Sequence, residues 1–118
     1  MSNKPKPHYP LSTVKGLIRQ GEILIRQNAI ESALNDFGWT TVEIKKCLLK
    51  LNDKYHPDDR EKNRFYKTED HRNFPHTKMD YYKCQNIMEG MNVYTHFYIH
   101  PDSGKLIISS FKELEVTP

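Results

Sequence analysis

Apolar and polar positions alternate with period two along Val93–Leu114, whereas Leu11–Leu51 carries apolar residues at helical spacing. The alternating stretch predicts a β-hairpin. In its first arm Val93, Thr95, Phe97 and Ile99 share one face, and Tyr94, His96, Tyr98 and His100 share the other. Asp102-Ser103-Gly104, after Pro101, predicts a three-residue turn with glycine at the left-handed position. That turn sets Ile99 across from Ile107, Thr95 from Phe111 and Tyr94 from Lys112. Phe97, Ile99, Ile107 and Phe111 then form a buried face, and Tyr94, His96, Tyr98, Ser110 and Lys112 an open one, a division that a one-residue slip would destroy.

The helical half divides at its breakers. A first helix is expected from Leu11-Ser12-Thr13, capped by Ser12, carrying Val14, Leu17 and Ile18 and closing at Gly21. Ile23–Ile25 reads as a short edge strand. Gln27–Phe37 reads as a helix with Ile30, Ala33, Leu34 and Phe37 on one stripe and Gly38 as its stop. Thr40 or Thr41 caps a third helix with Glu43 in its first turn and Val42, Ile44, Leu48, Leu49 and Leu51 as apolar positions. The polar run from Asn52 to Asn63 reads as a loop. Arg64–Thr68 is a strand, Glu69–Lys78 a loop, Met79–Ile87 a strand and Glu89-Gly90 a turn. Helices early and strands late, with short links between the last strands, define an α+β fold: N-terminal helices packed on one face of a small antiparallel sheet, the other face left open.

Length and composition fit one domain. The chain has 118 residues, net charge +3 and a mean hydropathy of −0.80. Residues 1–10, with three prolines and two lysines, read as a flexible N-terminal tail, and residues 11–118 as the domain. The mild positive charge permits an acidic or nucleic-acid partner without requiring one. Cys47 and Cys84 lack a CxxC pairing and read as reduced thiols of a cytoplasmic protein. No apolar run reaches the length of a membrane span or a signal-peptide core, so no membrane partner is expected.

The open face carries unusual chemistry for a solvated sheet. Rings of Tyr94 and Tyr98 can stack on unpaired bases, Lys112 attracts phosphate, and His96 or a tyrosine can move protons. The plainer alternative is an amphipathic face half-covered by another element, its rings turning their polar ends to water. His71, His76 and Asp70 lie in a loop without a standard ligand spacing and read as a polar loop rather than a metal site.

Two resemblances bear on function. Ile44-Lys45-Lys46, Leu51 and Lys54-Tyr55-His56-Pro57-Asp58 resemble the helix and HPD loop of a J-domain co-chaperone. The likeness covers about a fifth of the chain, and the β-like Arg64–Thr68 follows where that family needs a helix. As a plain turn, His56-Pro57-Asp58 needs no partner, because proline sets φ and Asp closes the bend.

The second resemblance spans most of the chain. Pro7–Lys15 (PHYPLSTVK), Phe65-Tyr66-Lys67, Asp80-Tyr81-Tyr82-Lys83, Gly90 with Val93-Tyr94, and Ile107–Lys112 (IISSFK) occur in the order found in MqsR-type toxins. That family is similar to the RelE-like toxins, small α+β RNases of type II toxin–antitoxin systems that cleave mRNA. The resemblance implies a metal-independent endoribonuclease without a small-molecule cofactor, a cognate antitoxin protein as partner, and growth arrest on release. Lys67, Tyr94 and Lys112 match positions of the family's active site. His96, on the same expected face, joins them as a supporting acid, and Tyr82, Lys83 and Tyr98 are expected RNA contacts. A family glutamine falls on Met79, whose thioether donates no hydrogen bond. His96 is the neighbour expected to replace it.

Overall fold

The computed structural model describes residues 6–52 and 64–115. Its elements are α1 (Leu11–Arg19), β1 (Ile23–Ile25), α2 (Gln27–Phe37), α3 (Thr41–Leu48), β2 (Arg64–Asp70), β3 (Lys78–Met88), β4 (Met91–Ile99) and β5 (Leu106–Glu113). The five strands form one sheet in the order β1-β5-β4-β3-β2. The three helices lie on one face, so the fold is α+β as expected. The sheet is mixed rather than purely antiparallel, because β1 runs parallel to β5, Ile23 to Ile25 pairing with Leu106 to Ile108. A strand that feeds a helix packed back on the same sheet can pair in parallel without a hairpin, and α2 follows β1 and packs on β5. His56-Pro57-Asp58 lies outside the described residues. The segment from Arg64 is a strand, at odds with a J-domain helix there.

Local chemistry accounts for most of the boundaries. Gly21 and Gly38 adopt φ near +76° and +74°, the left-handed ends that stop α1 and deflect the chain after α2. Thr40 donates from its N–H and its hydroxyl to the Glu43 carboxylate at the start of α3. Ser12 does not cap α1: the helix starts at Leu11, and Pro10 supplies the carbonyl for Thr13 and Val14. Pro10 spends no N–H there, and Leu11 is freed to enter the core. The buried stripe of α2 is Ala29 and Ala33, with Leu34 exposed, and Val42 of α3 is exposed as well. Small residues let α2 approach β5 closely, which rotates Leu34 out to solvent.

The core lies between the helices and one face of the sheet. Val14, Ile18, Ile44, Leu48 and Trp39 meet Tyr82, Cys84, Val93, Phe97, Leu106, Ile108 and Phe111. Phe37 stacks on Trp39 at 4.4 Å, and both contact the Phe111 ring. Cys47 and Cys84 are free and buried in this core, and desolvation pushes the Cys47 thiol up to about 12, so both are inert thiols.

The end of the expected tail is tied down. The His8 and Tyr9 amides donate to the two oxygens of Asp80, at 3.0 and 2.8 Å, and the Tyr9 hydroxyl donates to the Lys78 carbonyl. Asp80 is fully buried and accepts a third bond from the Thr68 hydroxyl at 2.6 Å. A buried carboxylate with three donors is satisfied, and it fixes residues 8 and 9 against the start of β3.

Two bulges decide which side chains face outward. In β5, Phe97 pairs with Ile108 but His96 pairs with Ser110, so Ser109 is the extra residue. The side-chain amide of Asn28 donates to the Ser109 carbonyl at 2.9 Å. On the turn side the link is Pro101–Gly104, since the His100 N–H bonds the Lys105 carbonyl. This is one residue longer than the expected turn. Ile99 therefore faces Leu106, not Ile107, and Ile107 shares the outer face with its partner Tyr98. The bulge restores the expected register beyond it, with Thr95 opposite Phe111 and Tyr94 opposite Lys112. Leu106, Ile108 and Phe111 all reach the core this way, which strict alternation forbids. In β2 the extra residue is Tyr66, between the pairs Phe65–Tyr82 and Lys67–Tyr81.

Candidate functional site

The sheet face turned away from the helices holds the candidate chemistry in two adjoining rows. The first runs Lys67–Tyr81–His96–Ser110 across β2, β3, β4 and β5, each residue paired with the next. The second runs Lys83–Tyr94–Lys112 across β3, β4 and β5. Lys67, Tyr94, Lys112 and His96, the four residues expected to act together, thus lie on one face. Lys67 reaches it because Tyr66 is bulged: unbroken alternation through Phe65-Tyr66-Lys67 would put Lys67 on the inward face of Phe65.

The cations lean over rings rather than into solvent. The Lys67 ammonium sits 4.9 Å from the Tyr81 ring centre and 5.3 Å from that of Tyr66. Lys112 hangs 5.3 Å over Tyr94, and Lys83 lies 3.9 Å over Tyr66. Tyr81 and His96 face each other at 4.5 Å with their planes 32° apart, and Tyr94 lies 6.3 Å from Tyr81. The result is a floor of rings under ammonium groups that approach it from opposite edges.

Glu69 completes this side, and the sequence reading missed it. Its carboxylate is 2.6 Å from the Lys67 ammonium, and the Tyr81 hydroxyl interacts with it too. The hydrogen bond with Glu69 holds the Lys67 pKa above the ordinary lysine value, and the same bond holds the carboxyl of Glu69 below its own. Lys67 is therefore held as a cation beside Glu69. The signal for Glu69 was its i, i+2 spacing from Lys67 on one strand face.

His96 departs from the expected acid. Desolvation, reinforced by the Lys112 and Lys67 charges, brings its pKa down to about 4. The ring is neutral at pH 7, and its Nδ1 is buried without a hydrogen-bond partner. Tyr94 is pushed the other way: burial raises its pKa, so its phenol keeps its proton.

The three expected RNA contacts fare differently. Lys83 lies on the outer face. Tyr82 does not: it is fully buried on the helix side, stacked on Phe97 at 5.5 Å, because it alternates with Tyr81 and Lys83 along β3. Tyr98 is on the outer face but only 3% exposed. The turn after β2 folds back over it, with His71 packed edge-on at 4.5 Å and Phe74 against His71 and His100. The segment 71–77, read from sequence as a polar loop, walls the sheet. Asp70 pairs with Lys78, and His71 Nδ1 accepts the Asn73 amide.

Two depressions open on this face. One of about 470 Å³ borders Tyr94 and Lys112 and runs toward Asp36. The other, about 490 Å³, lies between the Tyr81–His96 pair and the Phe74–His71 wall, with Met79, Arg26 and Arg72 along it.

No protein-family model matches the chain, and no curated protein matches it. Among the described residues no helix is long and apolar enough to cross a membrane.

Proposed function

We propose that this protein is the toxin of a type II toxin–antitoxin system, an MqsR-like, RelE-like endoribonuclease that cleaves mRNA without a metal, acts in the cytoplasm and is held in check by a cognate antitoxin protein. The observation that carries the reading is the joint placement of Lys67, Lys112, Tyr94 and His96 on one open, ring-lined face, with both ammonium groups acting on His96.

Such a site suits attack by the RNA's own 2′-hydroxyl. The 2′-oxygen forms a bond to phosphorus, the bond from phosphorus to the 5′-oxygen breaks, and the 2′-proton must leave while the 5′-oxygen gains one. The products are a 2′,3′-cyclic phosphate and a 5′-hydroxyl. Lys67 and Lys112 bind the phosphate and stabilise the charge that builds on it. Neutral His96 accepts the 2′-proton. A bound phosphate offsets the two lysine charges and so restores part of its basicity, while desolvation, the larger cause, stays. Protonated Tyr94 donates to the departing oxygen. Glu69 is a positioning residue that holds Lys67 over the rings.

The test is incubation of purified protein with mRNA in EDTA and mapping of the ends. Fragments with 5′-hydroxyl ends, lost with Lys67→Ala and Lys112→Ala, are the expected outcome. A second reading, RNA binding without cleavage, is favoured by Met79 at the family's glutamine position and by the weak basicity of His96. Under it RNA is retained by the wild type and stays intact at saturating protein.

A further inference from the structure

We propose that the groove between the Tyr81–His96 pair and the Phe74–His71 wall is a nucleobase pocket, in which the base beside the gripped phosphate of a single-stranded RNA stacks over Met79. This deepens the nuclease reading and rests on it for the position of the phosphate. Three observations support it.

The first is continuity. Tyr81 and His96 belong both to the ring floor under Lys67 and to the lining of the groove. A nucleotide whose phosphate sits over that floor has its base one step away, at the groove mouth.

The second is shape and surface. The volume of about 490 Å³ is within the ~300–1,000 Å³ of small-molecule sites. Rings stand on both sides, and Phe74 is held in place by contacts with His71 at 4.8 Å and His100 at 5.0 Å. Met79 lines the groove, and its polarizable thioether suits the face of a base and offers no hydrogen-bond donor.

The third is charge. Two acids border the groove, but Glu69 is paired with Lys67 and Asp70 with Lys78. Arg26 and Arg72 are exposed at its rim, carry no ion pair among the described residues, and present their charges to a flanking phosphate. Rings alternating with cations bind single strands, whose unpaired bases are free to stack, and exclude duplex, whose bases are not.

The test is calorimetric titration of uridine 3′-monophosphate, adenosine 3′-monophosphate and inorganic phosphate into the full-length protein. At least one nucleotide should bind about tenfold more tightly than phosphate, the advantage expected of one stacked base. Phe74→Ala should shrink that advantage while phosphate affinity holds, and Arg72→Ala, a surface change that leaves the fold alone, should weaken uridine 3′,5′-bisphosphate, which carries a flanking phosphate, while the 3′-monophosphates keep their advantage. Equal binding of nucleotides and phosphate, or a monophosphate advantage that survives Phe74→Ala, overturns the pocket. The two proposals fail separately: a nucleotide advantage without RNA cleavage sinks the nuclease and keeps the pocket, and cleavage without an advantage does the reverse.

Discussion

Lys67 stands opposite Tyr81 on the outer face of the sheet only because Tyr66 is an extra residue in β2. Alternation alone places Lys67 on the same side as Phe65, which packs edge-on against Tyr82 in the core. Deleting Tyr66 should therefore make Phe65 and Lys67 consecutive residues opposite Tyr82 and Tyr81, which removes the bulge, leaves Lys67 on the outer face and keeps phosphate binding near the wild-type level. Tyr66→Ala keeps the extra residue and should keep most of the binding. A deletion variant that folds but loses phosphate binding as fully as Lys67→Ala would contradict this register.

His96 makes the site sensitive to acid. Its pKa of about 4 in the folded protein lies below the ~6.5 of an unfolded chain. Between those values the unfolded state binds more protons, so stability rises with pH and is lost as pH falls from about 6.5 toward 4. His96→Phe should flatten that part of the stability curve. In the native protein the His96 ring signals should titrate near 4, and saturating phosphate should move the midpoint upward by offsetting the Lys112 and Lys67 charges. A midpoint unmoved by phosphate would place the anion elsewhere.

Much of this surface was legible in the sequence. Period-two alternation identified the face of Tyr94, His96 and Lys112, because β4 and β5 realign beyond the Ser109 bulge. Glycines and the Thr40–Glu43 cap marked the helices for local reasons that no tertiary contact overrode. What escaped notice depends on counting residues across strands. A bulge leaves no composition signature, so strict alternation put Ile107 on the buried face where Leu106 and Ile108 belong, and the inward placement of Tyr82 needed the pairing of β3. Parallel pairing of β1 joins segments some eighty residues apart, beyond the reach of any local pattern. The covering of Tyr98 depends on a turn whose polar residues hide two rings that pack.

Asp80 should prove the most costly single polar substitution in the described part of the chain. Asp80→Ala leaves the His8 and Tyr9 amides and the Thr68 hydroxyl without their acceptor, at a cost of roughly 2–4 kcal/mol. Urea unfolding should show a lower midpoint with little change in slope. Hydrogen exchange at the His8 and Tyr9 amides should accelerate even in the folded variant. If the midpoint falls but those amides stay protected, the N-terminal segment is held by something other than this carboxylate.

The two lysines should contribute to affinity and rate rather than to stability. Lys112 is exposed, and Lys67 is held by the exposed Glu69 and by ring contacts at a half-open surface, so Lys67→Ala and Lys112→Ala should each unfold within about 0.5 kcal/mol of the wild type. Each phosphate contact on a single strand contributes a slope of about −0.7 in log affinity against log salt. Each variant should therefore reduce the wild-type slope by about that amount. It should also lower the cleavage rate by roughly 10²–10³, the effect of removing one donor to a developing oxyanion. A glutamine at either position retains a donor but no charge, so it should lose the salt slope as fully as alanine while keeping part of the rate. Equal losses of rate in the glutamine and alanine variants would assign the lysines to charge alone, with no donated hydrogen bond in the transition state.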